Sequence, residues 1–225
     1  MLAWLEAKDP FPPVERALKD PNGLLAAGGA LSVERLLEAY RRGVFPWYSG
    51  AEPVLWWSPD PRMVLYCEEF KVSRSLGKSV RNKGYEVRVD TAFAAVLEGC
   101  ADRPQGTWLG DDMKKAYLRL HRAGHAHSFE TWRDGELVGG LYGMALGRMF
   151  YGESMFSRET DASKVALVAL VGELRAREFP LIDCQMHTPL LASLGAREIP
   201  RRNFLRELAA LVNYPQVPGK WNVKT

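Results

Sequence analysis

Apolar residues recur at every third or fourth position in five segments of the chain, and this spacing predicts five helices. Ser32 can cap the first helix, which carries Leu36, Leu37 and Tyr40 and ends before Gly43. The second helix has a candidate cap at Asp90, and Gly99 fits its end. The second to fifth predicted helices cover residues 91–97, 111–120, 162–177 and 203–211.

Alternation of apolar and polar residues predicts strands in the second half of the chain. Asp134 and Gly135 are a two-residue turn signal, which predicts an antiparallel hairpin. The order of strands and helices favours an α+β domain with one mixed sheet, an order used by N-acyltransferase (GNAT-like) folds. The predicted strands cover residues 85–90, 127–133, 136–144, 148–152 and 180–185.

The first sixty residues are rich in Pro, Gly and Trp, which disfavours long helices and strands there. We therefore expect a small N-terminal α/β domain over residues 1–61 and a GNAT-like mixed-sheet domain over residues 62–225. Trp47, Trp56 and Trp57 stand among prolines, so stiff turns present their rings. Two interpretations of these rings stay open, local core packing or platforms on which nucleic-acid bases stack.

Composition is that of a folded globular protein, since 47% of the 225 residues are hydrophobic and 25% are charged. No stretch is long and apolar enough to span a membrane, and Glu6, Lys8 and Asp9 interrupt the apolar core that a signal peptide needs. We therefore expect a cytoplasmic monomer without a membrane partner. Three cysteines without CxxC spacing predict reduced thiols rather than a disulfide framework or a zinc site.

Basic residues cluster between Lys71 and Arg88, although the net charge of the whole chain is only +3. A solvated face and a contact with phosphate groups explain such a cluster equally well. Gly77 and Gly84 predict that the segment is a mobile loop. The candidate residues for a phosphate contact are Lys71, Arg74, Lys78, Arg81 and Lys83.

Two polar clusters at strand ends are candidates for chemistry. Glu153 is a carboxylate in an apolar strand end, which needs either Arg158 as a structural partner or a cationic ligand. Asp183 and Gln185 are two residues apart on a predicted strand, so we expect them on the same face. Asp183 taken alone also fits a cap or a hydrogen-bonded core acid.

Other catalytic sites are disfavoured by spacing. A strand sends Cys184 to the face opposite Asp183, and His187 is badly placed to act as its base. The helix that carries His121 breaks before His125 and His127, so these rings need not converge on a metal. The sequence has no G-x-S-x-G, P-loop or G-x-G-x-x-G motif, so no metal or nucleotide cofactor is implied.

From residue 11 to residue 204 the sequence resembles the leucyl/phenylalanyl-tRNA–protein transferase family in the order and spacing of many motifs. The matching blocks are PNGLLAAGGALS (21–32), AYRRGVFPWYS (39–49), LWWSPDPR (55–62), EGC (98–100), GTW (106–108), GHAHS (124–128), ELVGGLYG (136–143), GESMFSR (152–158), ASK (162–164), LIDCQ (181–185) and ASLGAREIPR (192–201).

The resemblance implies a bacterial cytoplasmic enzyme with two substrates. It would move Leu or Phe, with Met as a further candidate donor, from aminoacyl-tRNA to the α-amine of proteins with N-terminal Arg or Lys. The product would carry a degradation signal of the N-degron pathway. The small N-terminal domain and the GNAT-like domain are also what the family implies, and no cofactor is required.

The resemblance also implies a role for each matching site residue. Gln185 would contact the attacking amine, Asp183 would polarise Gln185, and Glu153 would bind the cationic side chain of the acceptor. Trp47 and Trp108 would lie around the terminal adenosine. The donor side chain would occupy a pocket formed by Leu141, Phe150, Gly152, Leu167, Leu170 and Ile182.

The chain departs from the family pattern at the pocket, since Leu141 and Leu170 stand where better-known members have bulkier Met and Phe. The run 186–190 after Gln185 is also unusual, which leaves polar contacts from that loop open.

Two other functions remain as alternatives. A coenzyme-A-dependent acetyltransferase would need a glycine-rich turn at a helix start, and residues 157–164 contain no glycine. A non-catalytic RNA-binding module explains the basic cluster and the tryptophans but gives Glu153, Asp183 and Gln185 no role.

Overall fold

The computed structural model describes residues 2–50, 52–104, 106–215 and 218–221. Its N-terminal part is a four-stranded sheet with strand order β1-β2-β4-β3, in which β1 and β2 are parallel. Helix α1, Val33–Arg41, connects β2 to β3, and the Ser32 side chain caps it by accepting from the backbone nitrogen of Arg35. The strands are β1 Ala3–Leu5, β2 Leu24–Gly28, β3 Phe45–Pro46 and β4 Leu55–Trp57.

A seven-stranded mixed sheet follows, with strand order β11-β5-β10-β9-β8-β7-β6. The β9–β10 pair is parallel, and every other neighbouring pair in this sheet is antiparallel. The strands are β5 Arg62–Tyr66, β6 Glu86–Val89, β7 Ala126–Arg133, β8 Glu136–Leu146, β9 Met149–Ser157, β10 Leu181–Gln185 and β11 Arg197–Ile199.

Helices cover both faces of the large sheet, and this separates two hydrophobic clusters. Successive residues of β8 point to opposite faces, so Leu141 packs into one cluster and Tyr142 into the other. The Tyr142 side also holds α3, α4, α7 and the small sheet, while the Leu141 side holds α5. The helices are α2 Arg74–Asn82, α3 Phe93–Ala101, α4 Asp111–Arg122, α5 Ala162–Ala176, α6 Pro189–Ser193 and α7 Arg201–Leu211.

Trp221 is a buried part of the cluster on the Leu141 side, although it lies far along the chain. Its ring stacks on His127 with centroids 4.1 Å apart, and its centroid lies 6.0 Å from that of Phe150. Its backbone nitrogen donates to Asp90 at 2.8 Å. Full burial of a large apolar side chain contributes about 1.5–3 kcal/mol, so Trp221 helps to hold β7 and β9 in place.

The predicted α+β class is confirmed, with a small N-terminal sheet and a larger mixed sheet. The predicted hairpin is also confirmed, since Asp134 and Gly135 have φ of 51° and 83° between β7 and β8. The sequence missed β5, which lies second from one edge of the large sheet and pairs with β10 and β11. Within the described residues, no helix is both long and apolar enough to cross a membrane.

The predicted cap of α3 is wrong. Asp90 is buried with φ of 56°, and its carboxylate accepts from the backbone nitrogens of Ser128 and Trp221 instead. The residues just before α3 are held from β7 instead, because the Glu130 carboxylate accepts from the backbone nitrogens of Thr91 and Ala92.

Gly99 lies inside α3 rather than at its end. A Cβ at this position would lie 2.7 Å from the ring of Phe156, so glycine permits the close approach of α3 to β9.

The mobile loop predicted around Gly77 is also wrong, because this glycine lies within α2. The Ser73 hydroxyl caps that helix by accepting from the backbone nitrogen of Leu76. Residues Leu76 and Ser79 are buried, and the Ser79 hydroxyl donates to Asp161 at the start of α5 at 2.7 Å. The basic residues of this segment are therefore displayed on a helix that packs against α5.

Candidate active site

A cleft of about 560 Å³ opens where β9 and β10 separate. The parallel pairing of these strands ends at Asp183 and Tyr151, and Gln185 then pairs with Met63 of β5 across a bulge. Gln185 has φ of 57°, a conformation that takes it out of the regular strand. The separation leaves an opening in the middle of the sheet that can be lined from both of its faces.

The inner end of the cleft is apolar and includes five of the six residues expected to form a side-chain pocket. Phe150 is the exception, because it is fully buried and packs in the same cluster without lining the cleft. At Gly152 a Cβ would lie 3.5 Å from Ile182, which is an ordinary contact distance, so the backbone would accept an alanine here. The five lining residues are Leu141 from β8, Gly152 from β9, Leu167 and Leu170 from α5, and Ile182 from β10.

Trp47 and Trp108 both line the cleft, and Trp47 keeps 37% of its surface exposed. The Trp57 ring stands edge-on to Trp47, and its indole N–H donates to the Trp47 carbonyl at 2.6 Å. These contacts fix the orientation of the Trp47 ring. Trp56 is fully buried and donates to the carbonyl of Gly28 at 2.8 Å, so it is a core residue.

Asp183 forms a fully buried, bidentate ion pair with Arg62 of β5. Arg62 Nε lies 2.7 Å from Oδ1, and Nη2 lies 2.6 Å from Oδ2. The guanidinium lies 4.8 Å from the ring centroid of Phe45 and 4.6 Å from that of Phe204, and Nη1 donates to the Gly43 carbonyl. Arg62 therefore joins the small sheet, α7 and β10 at one point.

Asp183 and Gln185 contact each other through the backbone of Gln185, whose nitrogen donates to Asp183 Oδ1 at 3.0 Å. The expectation of a regular strand with both side chains on one face is wrong, because the bulge intervenes. Gln185 lines the cleft, whereas Asp183 is fully buried beside it and does not. The Asp183 carboxylate thus holds the conformation of Gln185 from behind.

Glu153 lies on β9 and accepts hydrogen bonds from the hydroxyls of Tyr40 and Tyr117, at 2.6 and 2.7 Å. Gln185 Nε2 lies 3.4 Å from the same carboxylate. Burial raises the pKa of Glu153 to about 7, although both tyrosine hydrogen bonds act in the opposite direction.

The alternative in which Glu153 pairs with Arg158 is wrong. Arg158 donates to the Leu137 carbonyl and lies over the ring of Phe156. Glu153 thus has two hydroxyl partners and no cationic partner among the residues that the structure describes.

The disfavoured thiol and metal sites also lack the required geometry. Burial raises the pKa of the Cys184 thiol, and its Sγ lies 3.8 Å from the Ile182 carbonyl. His121 contacts the Ala126 carbonyl, while His127 pairs with Asp90. The described residues contain no group of three His, Cys, Asp or Glu that could hold a metal ion.

The basic residues proposed for a phosphate contact are exposed on and around α2, except Lys83, which is half-buried and donates to the Thr160 carbonyl. In the described chain, Lys71, Arg74, Lys78 and Arg81 form no ion pairs. The cations of α4 differ, since Lys114 pairs with both Glu98 and Asp111. The four exposed cations on and around α2 are therefore available to a polyanion, as is the exposed Arg122 of α4, which also forms no ion pair in the described chain.

The sequence reasoning missed three residues of the site, Arg62, Tyr40 and Tyr117. Arg62 is a charged residue followed by the apolar run 63–65. A buried charge needs a partner, and this signal pointed to Arg62 as well as to Glu153. Tyr40 and Tyr117 carry no such signal, because both fit the apolar faces of their helices.

Comparison with solved structures gives weak likenesses. FemX is 12% identical with a TM-score of 0.48, and the match covers 79% of this chain and 71% of FemX. Ribosomal-protein-alanine N-acetyltransferase from Brucella melitensis biovar Abortus 2308 is 15% identical with a TM-score of 0.36, over 59% of this chain and 96% of that one.

Comparison of sequences gives strong matches. The family profile described as leucyl/phenylalanyl-tRNA protein transferase matches residues 64–209, and the profile for the N-terminal domain of that protein matches residues 29–60. The leucyl/phenylalanyl-tRNA–protein transferase of Thiobacillus denitrificans is 64% identical over 94% of each chain. That of Chromobacterium violaceum is 58% identical over 99% of this chain and 97% of its own. The chain belongs to the leucyl/phenylalanyl-tRNA–protein transferase family and is an aminoacyltransferase.

Proposed function

We propose that this enzyme transfers Leu or Phe, with Met as a further donor, from aminoacyl-tRNA to the α-amine of proteins that begin with Arg or Lys. The modified protein would then carry a degradation signal in the cytoplasm. One observation carries the proposal. A single cleft contains an apolar end, two tryptophans and a carboxylate beside the Gln185 amide, which are the parts that the two substrates need.

The donor would lie along the apolar half of the cleft. Its side chain would occupy the pocket of Leu141, Gly152, Leu167, Leu170 and Ile182, with Phe150 supporting that pocket from below. The terminal adenosine would stack on Trp47 and Trp108, since flat rings suit any base.

The acceptor would lie at the polar side of the cleft. Glu153 would bind its cationic side chain, and the Gln185 amide would orient the α-amine toward the ester carbonyl. Asp183 would act on Gln185 through the backbone, because its carboxylate already accepts from Arg62 and from the Gln185 nitrogen. The ester is already activated, so positioning and removal of a proton from the amine are what the reaction needs.

A transfer assay tests this proposal directly. Labelled leucyl-tRNA is incubated with the enzyme and a peptide that begins with Arg, and we expect the label to appear in the peptide without added coenzyme A, ATP or metal. EDTA should leave the rate unchanged. A peptide with the same sequence but an N-terminal Ala is the control, and equal labelling of both peptides would contradict the proposed acceptor.

The tRNA backbone would bind the basic residues on and around α2, namely Lys71, Arg74, Lys78, Arg81 and Lys83. Each neutralised phosphate contributes roughly 0.7–0.9 to the slope of log affinity against log salt concentration. Replacing Lys78, Arg81 and Lys83 by Gln should therefore raise KM for aminoacyl-tRNA and flatten that slope, with little change in turnover at saturation.

Two controls sharpen the tRNA experiment. A short aminoacyl-adenosine lacks the tRNA body and should react equally with both proteins. The matched variant replaces Lys115, Arg119 and Arg122 of α4 by Gln, and it should keep the wild-type salt slope. A flattened slope in the α4 variant alone would place tRNA on α4 rather than on α2.

We further propose the division into an N-terminal domain, residues 1–61, and a catalytic domain, residues 62–225, in a monomeric enzyme. Each described strand belongs to only one of the two sheets, which supports this division. Tyr40 and Trp47 reach the cleft from the N-terminal part, so both domains are required for activity. Gel filtration at enzyme concentrations used in the assay tests the monomer.

A further inference from the structure

The carboxyl group of Glu153 and two tyrosine hydroxyls form a closed ring of short contacts. Tyr40 and Tyr117 lie 2.6 and 2.7 Å from the two carboxyl oxygens, and their own hydroxyl oxygens are 2.7 Å apart. All three distances are typical of hydrogen bonds between oxygens. The ring therefore contains three oxygen–oxygen contacts, and each one needs a proton between its two atoms.

Counting protons decides the state of the carboxyl group. Each tyrosine hydroxyl supplies one proton, and an ionised carboxylate supplies none. With Glu153 ionised, two protons would serve three contacts, and one pair of oxygens would face each other with lone pairs only. With Glu153 protonated, the ring has three donors and three acceptors, and every contact is a hydrogen bond.

The groups around the ring give an ionised Glu153 no free cation. Tyr40 reaches it from α1, Tyr117 from α4 and the Gln185 amide from β10. The neighbouring strand β8 contributes Tyr142, whose buried hydroxyl has no hydrogen-bond partner in the described chain. The nearby charges are Asp183 and Arg62, and these two are already paired with each other.

We propose that the free enzyme holds Glu153 as a neutral acid in this three-proton ring, and that a cationic N-terminal residue of the acceptor displaces one proton to solvent on binding. The identity of the acceptor rests on the proposed function, whereas the protonated ring does not. Binding converts the carboxylic acid to a carboxylate that pairs with the incoming cation. Both hydroxyls then donate to the carboxylate, and the Tyr40–Tyr117 contact loses its proton.

The ring gives Tyr40 and Tyr117 a role as positioning residues for acceptor selection. An acceptor with a neutral first residue brings no positive charge to compensate the carboxylate, so it leaves the ring closed. The pKa of about 7 for Glu153 suits this exchange, because the proton is held near neutral pH but is released at little cost when a cation arrives.

Infrared spectroscopy of the free enzyme tests the ring without any substrate. The difference spectrum between wild type and Glu153→Gln, at about one pH unit below the Glu153 pKa, should contain the C=O band of one protonated carboxyl group. The band should disappear as pH is raised through that pKa. Absence of the band at the lower pH would overturn the proposal, even if the transfer reaction proceeds as proposed.

Acceptor kinetics test the proton release. Two peptides differ only in the first residue, Arg or its uncharged analogue citrulline, so their α-amines titrate alike. As pH rises toward the Glu153 pKa, KM for the Arg peptide should fall by about tenfold per pH unit. KM for the citrulline peptide should show no such change. Equal pH dependence of the two peptides would overturn the proposed displacement, whereas failure of both peptides to react would count against the proposed function.

Tyr117→Phe provides a third readout that a merely structural role would not change. In the ring, ionisation of Glu153 leaves the Tyr40–Tyr117 contact without a proton, and Tyr117→Phe removes that contact, so the midpoint of the infrared and kinetic titrations should move to lower pH. Tyr66→Phe is the matched control, because it removes a tyrosine–glutamate contact with Glu207 outside the cleft. Its midpoint should equal that of wild type, and a midpoint in Tyr117→Phe that stays unchanged or moves to higher pH would contradict the ring.

Discussion

Two carboxyl groups lie side by side on β9 and β10, and the protein treats them differently. Asp183 faces an arginine that is itself enclosed between two aromatic rings, so its charge is compensated permanently. Glu153 faces hydroxyl groups that can share a proton but carry no charge. One acid is therefore a fixed part of the framework, while the other has no cationic partner among the described residues and is the one proposed to bind the cation of the acceptor.

The comparison also explains why each acid lies where it does. Asp183 is fully buried behind the bulge, where a permanent ion pair can join two sheets and set the backbone of Gln185. Glu153 lies on the wall of the cleft, where a substrate can reach it. A fixed charge at the second place would need its own permanent cation, which would occupy the position proposed for the cationic side chain of the acceptor.

Breaking the fixed pair should have the largest effect. Arg62→Met leaves the Asp183 charge buried without a partner, and the free energy of unfolding should fall by about 3–5 kcal/mol. Urea denaturation measures this change. Arg148→Met is the control, since it breaks an exposed pair with Glu178 that contributes about 0–1 kcal/mol. Equal losses of unfolding free energy in the two variants would show that the buried pair is no more important for stability than the exposed one.

Glu153 should make the free energy of unfolding depend on pH. The raised pKa of Glu153 means that the folded state keeps a proton that the unfolded state releases above about pH 4.5. Wild type should therefore lose stability relative to Glu153→Gln as pH rises from about 4.5 to about 7, by up to about 3 kcal/mol. Denaturation of both proteins across this range gives the difference, and the opposite slope would rule out a raised pKa.

The third largest effect should be on acceptor selection, when the charge of Glu153 is removed. In Glu153→Gln the charge-assisted contact is lost, so kcat/KM for an Arg peptide should fall by about 10- to 100-fold, equivalent to about 1.5–3 kcal/mol. KM for aminoacyl-tRNA should change little. Steady-state assays with each substrate varied separately test this, and equal damage to both KM values would show that Glu153 also holds the donor.

The smallest expected effect is that of one hydroxyl in the ring. Tyr117→Phe removes one hydroxyl, with its contacts to Glu153 and to Tyr40, and should lower the free energy of unfolding by about 0.5–1.5 kcal/mol. Urea denaturation at a pH below the Glu153 pKa measures it. A loss as large as that of Arg62→Met would show that the ring is as much part of the framework as the ion pair.

The sequence predicted those parts of the fold that depend on local chemistry. The Ser32 cap and the Asp134–Gly135 turn are specified by residues that are close together in the chain, and both are present. Asp90 shows the limit, since its side chain has the right type for a cap but is taken by Ser128 and Trp221. Tertiary contacts decide between such uses, and one sequence does not contain them explicitly.

The site residues that belong to sequence motifs could be predicted. Those that reach the site through contacts between distant parts of the chain could not. Glu153, Asp183 and Gln185 were predicted as polar residues at strand ends, and the structure brings them together beside one cleft, although Glu153 lies in the middle of β9 rather than at its end. Arg62 lies 121 residues from Asp183 in the chain, so its role required knowledge that β5 and β10 are neighbours. The bulge at Gln185 is likewise a property of the sheet and not of the pentapeptide.

The position of Trp221 has a consequence for synthesis on the ribosome. The cluster below the donor pocket includes Phe129, Phe150 and Phe179, and it cannot close until Trp221 has emerged from the exit tunnel. Everything that depends on this packing must therefore wait until residue 221 has left the tunnel, which is later than its addition to the chain. Until then the nascent chain presents an open apolar socket, which is the kind of surface that ribosome-associated chaperones cover.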